Sequence, residues 1–150
     1  MKNLFLLRHA HADNNSLNDF DRILTQEGID KCQVVGKILK DYDIDVIYSS
    51  DAARTKQTIE NILPYLKTIP RIKYIHELYK ATAAQLLEFI DALNDYENVL
   101  LVNHNPAISD LGLLLTSPAI DSDFYLEIQQ GFSPASLALF TDKQLTSFWR

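Results

Sequence analysis

Short apolar runs alternate along the chain with longer segments in which apolar residues recur every three or four positions. The short runs have the length of buried strands, and the longer segments have the period of helices that bury one face. The predicted strands cover residues 3–7, 44–48, 71–75 and 98–102. The predicted helices cover residues 26–39, 52–63, 83–93 and 106–115, with Thr25 as the N-cap of the first and Pro64 at the end of the second.

The C-terminal part of the chain has a different pattern. Three short apolar segments joined by turns predict further strands at residues 124–128, 136–140 and 146–149. Strands joined by short turns pair antiparallel, whereas strands separated by helices pair parallel. The pattern therefore predicts an α/β fold: a three-layer sandwich with a mainly parallel central sheet, helices on both faces and antiparallel strands near the C-terminus. We expect one domain over residues 1–150.

Composition narrows the class of protein. The formal net charge is -6, which argues against a nucleic-acid partner because such binding relies on basic residues that neutralise phosphates. Cys32 is the only cysteine and has apolar neighbours, so we expect a buried thiol and no internal disulfide. The first apolar run ends at Arg8, too early for a secretion signal, and no segment is long enough to span a membrane. We therefore expect a cytoplasmic protein with no membrane partner.

Polar side chains suited to catalysis follow three of the predicted strands. These residues are Arg8, His9 and His11 after the first strand, Arg54 after the second, and His104 and Asn105 after the strand at 98–102. Ligands of open α/β sheets bind beyond the carboxyl ends of the strands. We therefore expect these side chains to lie in one pocket, although they are far apart in the sequence.

Arginine and histidine together suit a phosphoryl group. The guanidinium of arginine presents a rigid fork of donors that matches phosphate oxygens. A histidine ring nitrogen can attack phosphorus and hold the phosphoryl group covalently, which divides one displacement into two easier ones. Phosphoryl transfer depends mainly on positioning and on neutralising the oxygens. The residue set therefore predicts phosphoryl transfer.

Four segments, taken in order, carry these residues. They are residues 6–12 (LLRHAHA), 21–28 (DRILTQEG), 50–58 (SDAARTKQT) and 102–106 (VNHNP). In order and spacing they resemble the motifs of the histidine phosphatase superfamily, the phosphoglycerate-mutase-like proteins. Glu77 lies where that family has a Glu-Leu or Leu-Tyr turn. The short length and the Arg-His-Ala-x-Ala variant resemble the small SixA-type branch, the bacterial phosphohistidine phosphatases.

The resemblance implies a role for each residue at the expected pocket. His9 would be the nucleophile that becomes phosphorylated, without a metal or another cofactor. Arg8, Arg54 and His104 would bind the phosphoryl oxygens and stabilise the transition state, and Glu77 would be the general acid. The implied fold is that of an α/β phosphatase.

The substrate implied by the resemblance is a phosphohistidine on a signalling or phosphotransfer protein, with a small phosphoester as the alternative. Asn105 and His11 are further candidates for binding it. Asn103 stands where the family more usually has glycine or serine. Its larger amide would narrow the pocket or donate a hydrogen bond to the substrate.

Other classes of function fit parts of the sequence. His9, His11 and Asp13 have the His-x-His-x-Asp spacing of metal-dependent hydrolases, although residue 14 is Asn where such sites have a further histidine. That alternative leaves Arg8 and Arg54 without a role. A non-catalytic phosphate-binding domain is a second alternative. A mutase is disfavoured, because the length leaves little chain for a lid over the pocket.

The remaining polar residues have simpler interpretations. Asp13, Asp19 and Asp21 lie in a polar loop, where carboxylates are usually solvated, and we expect Asp21 to pair with Arg22. His76 lies outside the motifs, and we expect it to have a structural role.

Overall fold

The computed structural model describes residues 1–116 and 123–150. Its core is one six-stranded sheet, whose strands in chain order are β1 Asn3–Arg8, β2 Val46–Ser49, β3 Arg71–Tyr74, β4 Asn98–Asn103, β5 Leu137–Thr141 and β6 Gln144–Trp149. Across the sheet the order is β3-β2-β4-β1-β5-β6. Strands β1 to β4 pair in parallel, while β5 is antiparallel to β1 and β6 is antiparallel to β5.

In the part of the chain that the structure describes, five α-helices connect these strands. They are α1 Gln26–Leu39, α2 Ala53–Ile62, α3 Ala83–Asp91, α4 Ala107–Leu115 and α5 Asp123–Gln129. Thr25 is the N-cap of α1, as predicted, and its hydroxyl accepts a hydrogen bond from the backbone N–H of Gly28. Short 3₁₀ turns lie at Asp19–Asp21, Leu63–Tyr65 and His76–Lys80.

The two faces of the sheet bury separate apolar clusters. Along β1, Leu4 and Leu6 face one cluster, whereas Phe5 and Leu7 face the other, because successive side chains of a strand point to opposite faces. Helices α3, α4 and α5 cover the first face, and α1 and α2 cover the second. The predicted α/β sandwich with three layers and an antiparallel C-terminal part is therefore confirmed.

The largest difference from the sequence prediction concerns residues 124–128. They were expected to form a strand but lie in helix α5. Phe124 and Ile128, one helical turn apart, pack into the core, while Leu126 between them is 65% exposed. A strand would place all three on the same face. The alternation of apolar residues was therefore misleading, and the contacts at four-residue spacing determine the structure.

Cys32 is fully buried in α1, and burial raises the pKa of its thiol to about 12. The expected buried thiol is confirmed. None of the helices within residues 1–116 and 123–150 combines the length and apolar character needed to cross a membrane.

Candidate active site at the carboxyl ends of three strands

Three neighbouring parallel strands end at one edge of the sheet. Because β4 lies between β2 and β1, the residues that follow all three strands come together around a cavity of about 380 Å³. The predicted site residues on its wall are Arg8, His9, His11, Arg54, His104 and Asn105. The cavity therefore brings together residues from three segments of the chain.

His9 sits on a backbone segment that is fixed from two sides. The N–H of Ala10 donates to the hydroxyl of Thr58 on α2 (3.0 Å), and the N–H of Ala135 lies 3.2 Å from the carbonyl oxygens of both Arg8 and His9. The side chain of His9 is consequently held at the cavity wall by elements on both sides of β1.

The two ring nitrogens of His9 have different partners. Nδ1 lies 2.7 Å from the carbonyl oxygen of Ala10. A carbonyl oxygen can only accept a hydrogen bond, so Nδ1 carries the proton and Nε2 keeps its lone pair. Burial, together with the charges of Arg54 and Arg8, lowers the pKa of His9 to about 3, although the hydrogen bond to Ala10 acts in the opposite direction. The free ring is therefore neutral, with Nε2 available as a nucleophile.

Arg54 lies in the first turn of α2 and is buried. Its Nε donates to Nε2 of His9 at 3.2 Å. Its two terminal nitrogens donate to Asp19, at 2.6 Å to the backbone oxygen and 3.0 Å to the carboxylate. The guanidinium thus faces Nε2 of His9 along one edge and is fixed by Asp19 along the other.

Asp19 is a member of the site that the sequence did not indicate. Its carboxylate accepts hydrogen bonds from the hydroxyl of Tyr79 (2.6 Å) and from Arg22 (3.1 Å), besides that from Arg54. The prediction that Arg22 pairs with Asp21 is therefore wrong, because the 3₁₀ turn presents Asp19 instead. The hydrogen bond from Tyr79, followed by those from the arginines, holds the pKa of Asp19 well below its usual range. The same bond raises the pKa of Tyr79.

A closed set of hydrogen bonds fixes Arg8. Its Nη1 donates to the carbonyl oxygen of Phe132 (2.7 Å), which also accepts from Nδ2 of Asn105 (3.0 Å). The hydroxyl of Ser109 on α4 donates to Oδ1 of Asn105 (2.6 Å) and accepts from the N–H of Phe132 (2.9 Å). Asn105 therefore positions Arg8 through a shared backbone oxygen, in addition to lining the cavity.

His104 follows β4 and is buried beside His9, with the two ring centroids 5.1 Å apart. Its Nε2 lies 2.6 Å from the hydroxyl oxygen of Ser50, which follows β2. Burial, followed by the charges of His9 and Arg54, lowers the pKa of His104 to about 3. The second histidine is thus also neutral in the free protein.

The segment that opens α1 supports the backbone near His9. Arg22 donates through Nε to the carbonyl oxygen of Asp13 (2.6 Å), and the hydroxyl of Thr25 lies 2.9 Å from Nδ1 of His11. Gly28 faces the backbone of His11 so closely that a Cβ would lie 2.2 Å from its carbonyl oxygen. Residues 22–28 thus anchor the loop that follows His9.

Three other predicted residues lie elsewhere. Glu77 is exposed in the 3₁₀ turn at His76–Lys80 and is not among the residues that line the cavity, so its role as general acid stays a prediction. Asn103 is buried, and its oxygen accepts a hydrogen bond from the N–H of His104 (2.8 Å). His76 is exposed and lies 3.0 Å from both carboxylate oxygens of Asp51.

The metal-binding alternative required His9, His11 and Asp13 to converge. Instead, Nδ1 of His9 faces the carbonyl of Ala10, and Nδ1 of His11 faces the hydroxyl of Thr25. Within the part of the chain that the structure describes, no three His, Cys, Asp or Glu side chains form a group that could hold a metal ion. The donors present do not fit a metal site, and catalysis without metal stays a prediction.

Comparison with known proteins gives matches in sequence. A model of the histidine phosphatase superfamily (branch 1) matches residues 4–78. A 2,3-bisphosphoglycerate-dependent phosphoglycerate mutase from Methanococcus vannielii is 34% identical over 84 residues. That match covers 53% of this chain but only 36% of the mutase. The similarity to the mutase is thus confined to a minor part of its length.

Two solved structures match over nearly the whole chain. One is a candidate phosphohistidine phosphatase SixA from Agrobacterium tumefaciens, with a TM-score of 0.87 and 29% identity, covering 99% of this chain and 97% of that one. The other is a candidate phosphohistidine phosphatase SixA from Nakamurella multipartitia, with a TM-score of 0.86 and 25% identity, covering 99% and 95%. This chain therefore shares its fold with both structures over nearly their whole lengths.

Proposed function

The chain belongs to the histidine phosphatase superfamily, and from that premise we propose that it is a phosphatase of the SixA type. It removes a phosphoryl group, from a phosphohistidine on a protein in preference to a small phosphoester, through a covalent intermediate on His9. The agreement in fold and length with the two SixA structures supports this branch.

One observation carries the proposal: Arg8, His9, Arg54 and His104 line the same cavity, and the partners of His9 leave the lone pair on Nε2. A neutral imidazole with a lone pair at a fixed nitrogen is a nucleophile at neutral pH. Two guanidinium groups next to it supply the charge that a phosphoryl group requires. These are the two parts that transfer of a phosphoryl group to histidine needs.

The reaction proceeds in two displacements. In the first, Nε2 of His9 forms a bond to phosphorus while the bond from phosphorus to the leaving group breaks, and the leaving group takes a proton from solvent. In the second, water attacks the phosphohistidine and gives up a proton to solvent, the bond to Nε2 breaks, and inorganic phosphate leaves. Arg8, Arg54 and His104 hold the phosphoryl oxygens in both steps and stabilise their charge.

Access to the cavity favours a side chain of a protein as the substrate. His11, Asp19 and Asn105 line the cavity and are exposed, so a phosphorylated side chain on another protein can reach His9 from solvent. A nitrogen leaving group is itself basic, and this lowers the need for a general acid such as the exposed Glu77.

Substitution of the nucleophile tests the reaction. We expect His9→Ala to abolish hydrolysis of p-nitrophenyl phosphate and to prevent acid-labile labelling of the protein by a radioactive phosphoryl donor. His76→Ala is the matched control, because His76 is an exposed histidine outside the cavity lining, and this variant should retain full activity. Wild-type rates in His9→Ala would refute the nucleophile.

A comparison of substrates tests the substrate class, and addition of a chelator tests whether the reaction needs a metal. We expect kcat/KM to be highest for proteins that carry phosphohistidine, and we expect EDTA to leave every rate unchanged. Faster turnover of small phosphoesters would instead assign the small-molecule alternative. Loss of activity in EDTA with recovery in zinc would contradict the metal-free mechanism.

A further inference from the structure

The two ring nitrogens of His104 differ in their surroundings. Nε2 lies 2.6 Å from the hydroxyl oxygen of Ser50. Nδ1 is buried and has no hydrogen-bond partner among the residues that the structure describes. The ring itself is 7% exposed and lines the cavity next to His9. A buried polar nitrogen without a partner is costly, so Nδ1 is the ring nitrogen that still lacks a hydrogen bond.

The hydroxyl of Thr55 determines what Ser50 can do. Its Oγ1 lies 2.8 Å from the carbonyl oxygen of Ser50 and 2.9 Å from that of Ala52. A carbonyl can only accept, so the single hydroxyl proton of Thr55 is directed at one of these oxygens. Towards the hydroxyl of Ser50, 3.1 Å away, Thr55 is therefore an acceptor.

The proton of the Ser50 hydroxyl consequently has two acceptors within reach. One is Oγ1 of Thr55 at 3.1 Å, and the other is Nε2 of His104 at 2.6 Å. The distance does not identify the donor, because a 2.6 Å contact forms whether the proton is on Ser50 or on Nε2. If the ring proton is on Nδ1, Ser50 donates to Nε2 and uses the shorter of its two contacts.

We propose that Ser50 is a positioning residue that sets the tautomer of His104, so that the ring proton resides on Nδ1 and is donated to a phosphoryl oxygen. The inference rests on the proposed phosphatase reaction. A donor on Nε2 forces the neutral ring to carry its own proton on Nδ1. The opposite tautomer would direct a lone pair of Nδ1 at an anionic oxygen and repel it.

Thr55 extends this arrangement to the charged form of the ring. When a phosphoryl dianion enters, it favours an imidazolium, whose Nε2 must donate rather than accept. The Ser50 proton can then turn to Thr55, and the Ser50 oxygen accepts from Nε2. The charged and titratable groups from the surrounding elements that face this ring or contact it are Arg8, His9, Asp19, Arg54 and Tyr79. The hydrogen bond between Ser50 and His104 therefore survives in either protonation state.

Nitrogen NMR of the histidine rings tests this proposal independently of activity. In ¹⁵N-labelled free protein at neutral pH, we expect Nδ1 of His104 to be protonated and Nε2 to be an unprotonated acceptor, with signals assigned by their loss in His104→Gln. Ser50→Ala should remove this bias and lower kcat/KM for p-nitrophenyl phosphate about tenfold. Ser50→Cys restores a weak donor, so it should recover part of the preference for the Nδ1–H tautomer and part of kcat/KM.

Thr55→Val is the matched control, because it removes the alternative acceptor, together with the hydrogen bond from Thr55 to a backbone carbonyl, and keeps the hydroxyl of Ser50. The free protein should keep the Nδ1–H tautomer, while binding of vanadate weakens and its pH dependence changes. A proton on Nε2 in the wild-type protein would overturn the proposal, as would an unchanged tautomer in Ser50→Ala. If the tautomer is as stated but the wild-type protein hydrolyses no phosphate compound, the function fails and the assignment of Ser50 to His104 stands.

Discussion

Asp19 introduces a negative charge into the cavity that we propose binds phosphate. Its carboxylate accepts from Arg22 and from Arg54, the second of which is proposed to bind the phosphoryl group, and it lies on the cavity wall. A bound phosphate must therefore compete with this carboxylate and tolerate its charge. The backbone oxygen of Asp19, which also accepts from Arg54, continues to fix the arginine when the carboxylate is removed.

We predict that Asp19→Asn tightens the binding of inorganic phosphate about fivefold. The loss of one negative charge near the anion favours binding by about 1 kcal/mol, a small value because the side chain is 54% exposed and screened by solvent. The inhibition constant of phosphate against p-nitrophenyl phosphate hydrolysis measures this effect. We also expect kcat to fall, because Arg54 is less firmly held.

Asp21→Asn is the control for Asp19→Asn, because it makes the same change of charge on the same 3₁₀ turn at an exposed residue outside the cavity lining. Its phosphate inhibition constant should match that of the wild-type protein. Weaker phosphate binding in Asp19→Asn would mean that the carboxylate acts mainly by positioning Arg54.

The residues of the site differ in how well the sequence predicts them. Arg8, His9, Arg54 and His104 directly follow or lie close to strand ends within distinct motifs, so their convergence could be predicted. Asp19 could not, because a loop without periodicity gives no indication of which carboxylate faces inward. The contact between Arg8 and the backbone oxygen of Phe132 could not be predicted either, because every residue type has a backbone carbonyl.

At the level of elements, helix α1 contacts the loop that follows His9 (the active-site loop) through Gly28. The close approach of Gly28 to the carbonyl oxygen of His11 leaves no room for a side chain, and Thr25 at the N-cap contacts the same residue. The start of α1 and the loop after His9 are thus fitted to one another. A change in one must displace the other.

We predict that Gly28→Ala lowers both stability and activity. Alanine normally favours a helix over glycine by up to about 1 kcal/mol, but here the clash with backbone forces a shift that costs about 1–3 kcal/mol. Urea unfolding should show this loss in the free energy of unfolding, and kcat/KM should fall with it because the loop next to His9 moves.

Gly36→Ala in the same helix is the matched comparison. Its Cβ would lie 2.8 Å from the ring of Tyr65, away from the active-site loop. We expect this variant to lose stability but to keep its kcat/KM. Equal activity in Gly28→Ala and the wild-type protein would mean that α1 does not position the loop.

Most elements could be predicted because the period of their apolar residues and the residue types at their ends indicate the same kind of element. Helix α1 begins and ends at the predicted residues 26 and 39, where a threonine cap precedes a regular apolar face. The prediction of a strand at residues 124–128 was wrong because the aromatic and aliphatic residues there fit both the two-residue period of a strand and the spacing of a helix. Only the tertiary contacts of Phe124 and Ile128 distinguish them, and a local pattern does not contain those contacts.

For the molecule as a whole, two buried neutral histidines make stability depend on pH. The pKa values of His9 and His104 fall from an ordinary 6.5 to about 3 in the folded protein. Between these values the unfolded chain binds more protons than the folded one. The free energy of unfolding therefore falls as the pH falls from about 6.5 to about 3.

We predict that the protein loses about 2–3 kcal/mol of stability between pH 7.5 and pH 5.5, because each histidine contributes about 1.4 kcal/mol. Carboxylates titrate at lower pH and do not contribute in this range. Urea unfolding at the two pH values, in buffers free of phosphate, measures the difference. His104→Gln should remove about half of it. Equal stability at both pH values would show that folding does not lower the pKa values of these two rings.

The strand order also governs when the chain can fold during synthesis. Asn3 on β1 pairs with Asn98 on one side and Thr141 on the other, whereas β2 pairs with β3 and β4. A ribosome makes β1 first, but both of its partners appear only after most of the chain. The nascent chain therefore carries the apolar strand β1 without either of its neighbouring strands through most of its synthesis. A prematurely ended product would contain the Arg8-His9 and Arg54 motifs without an active site.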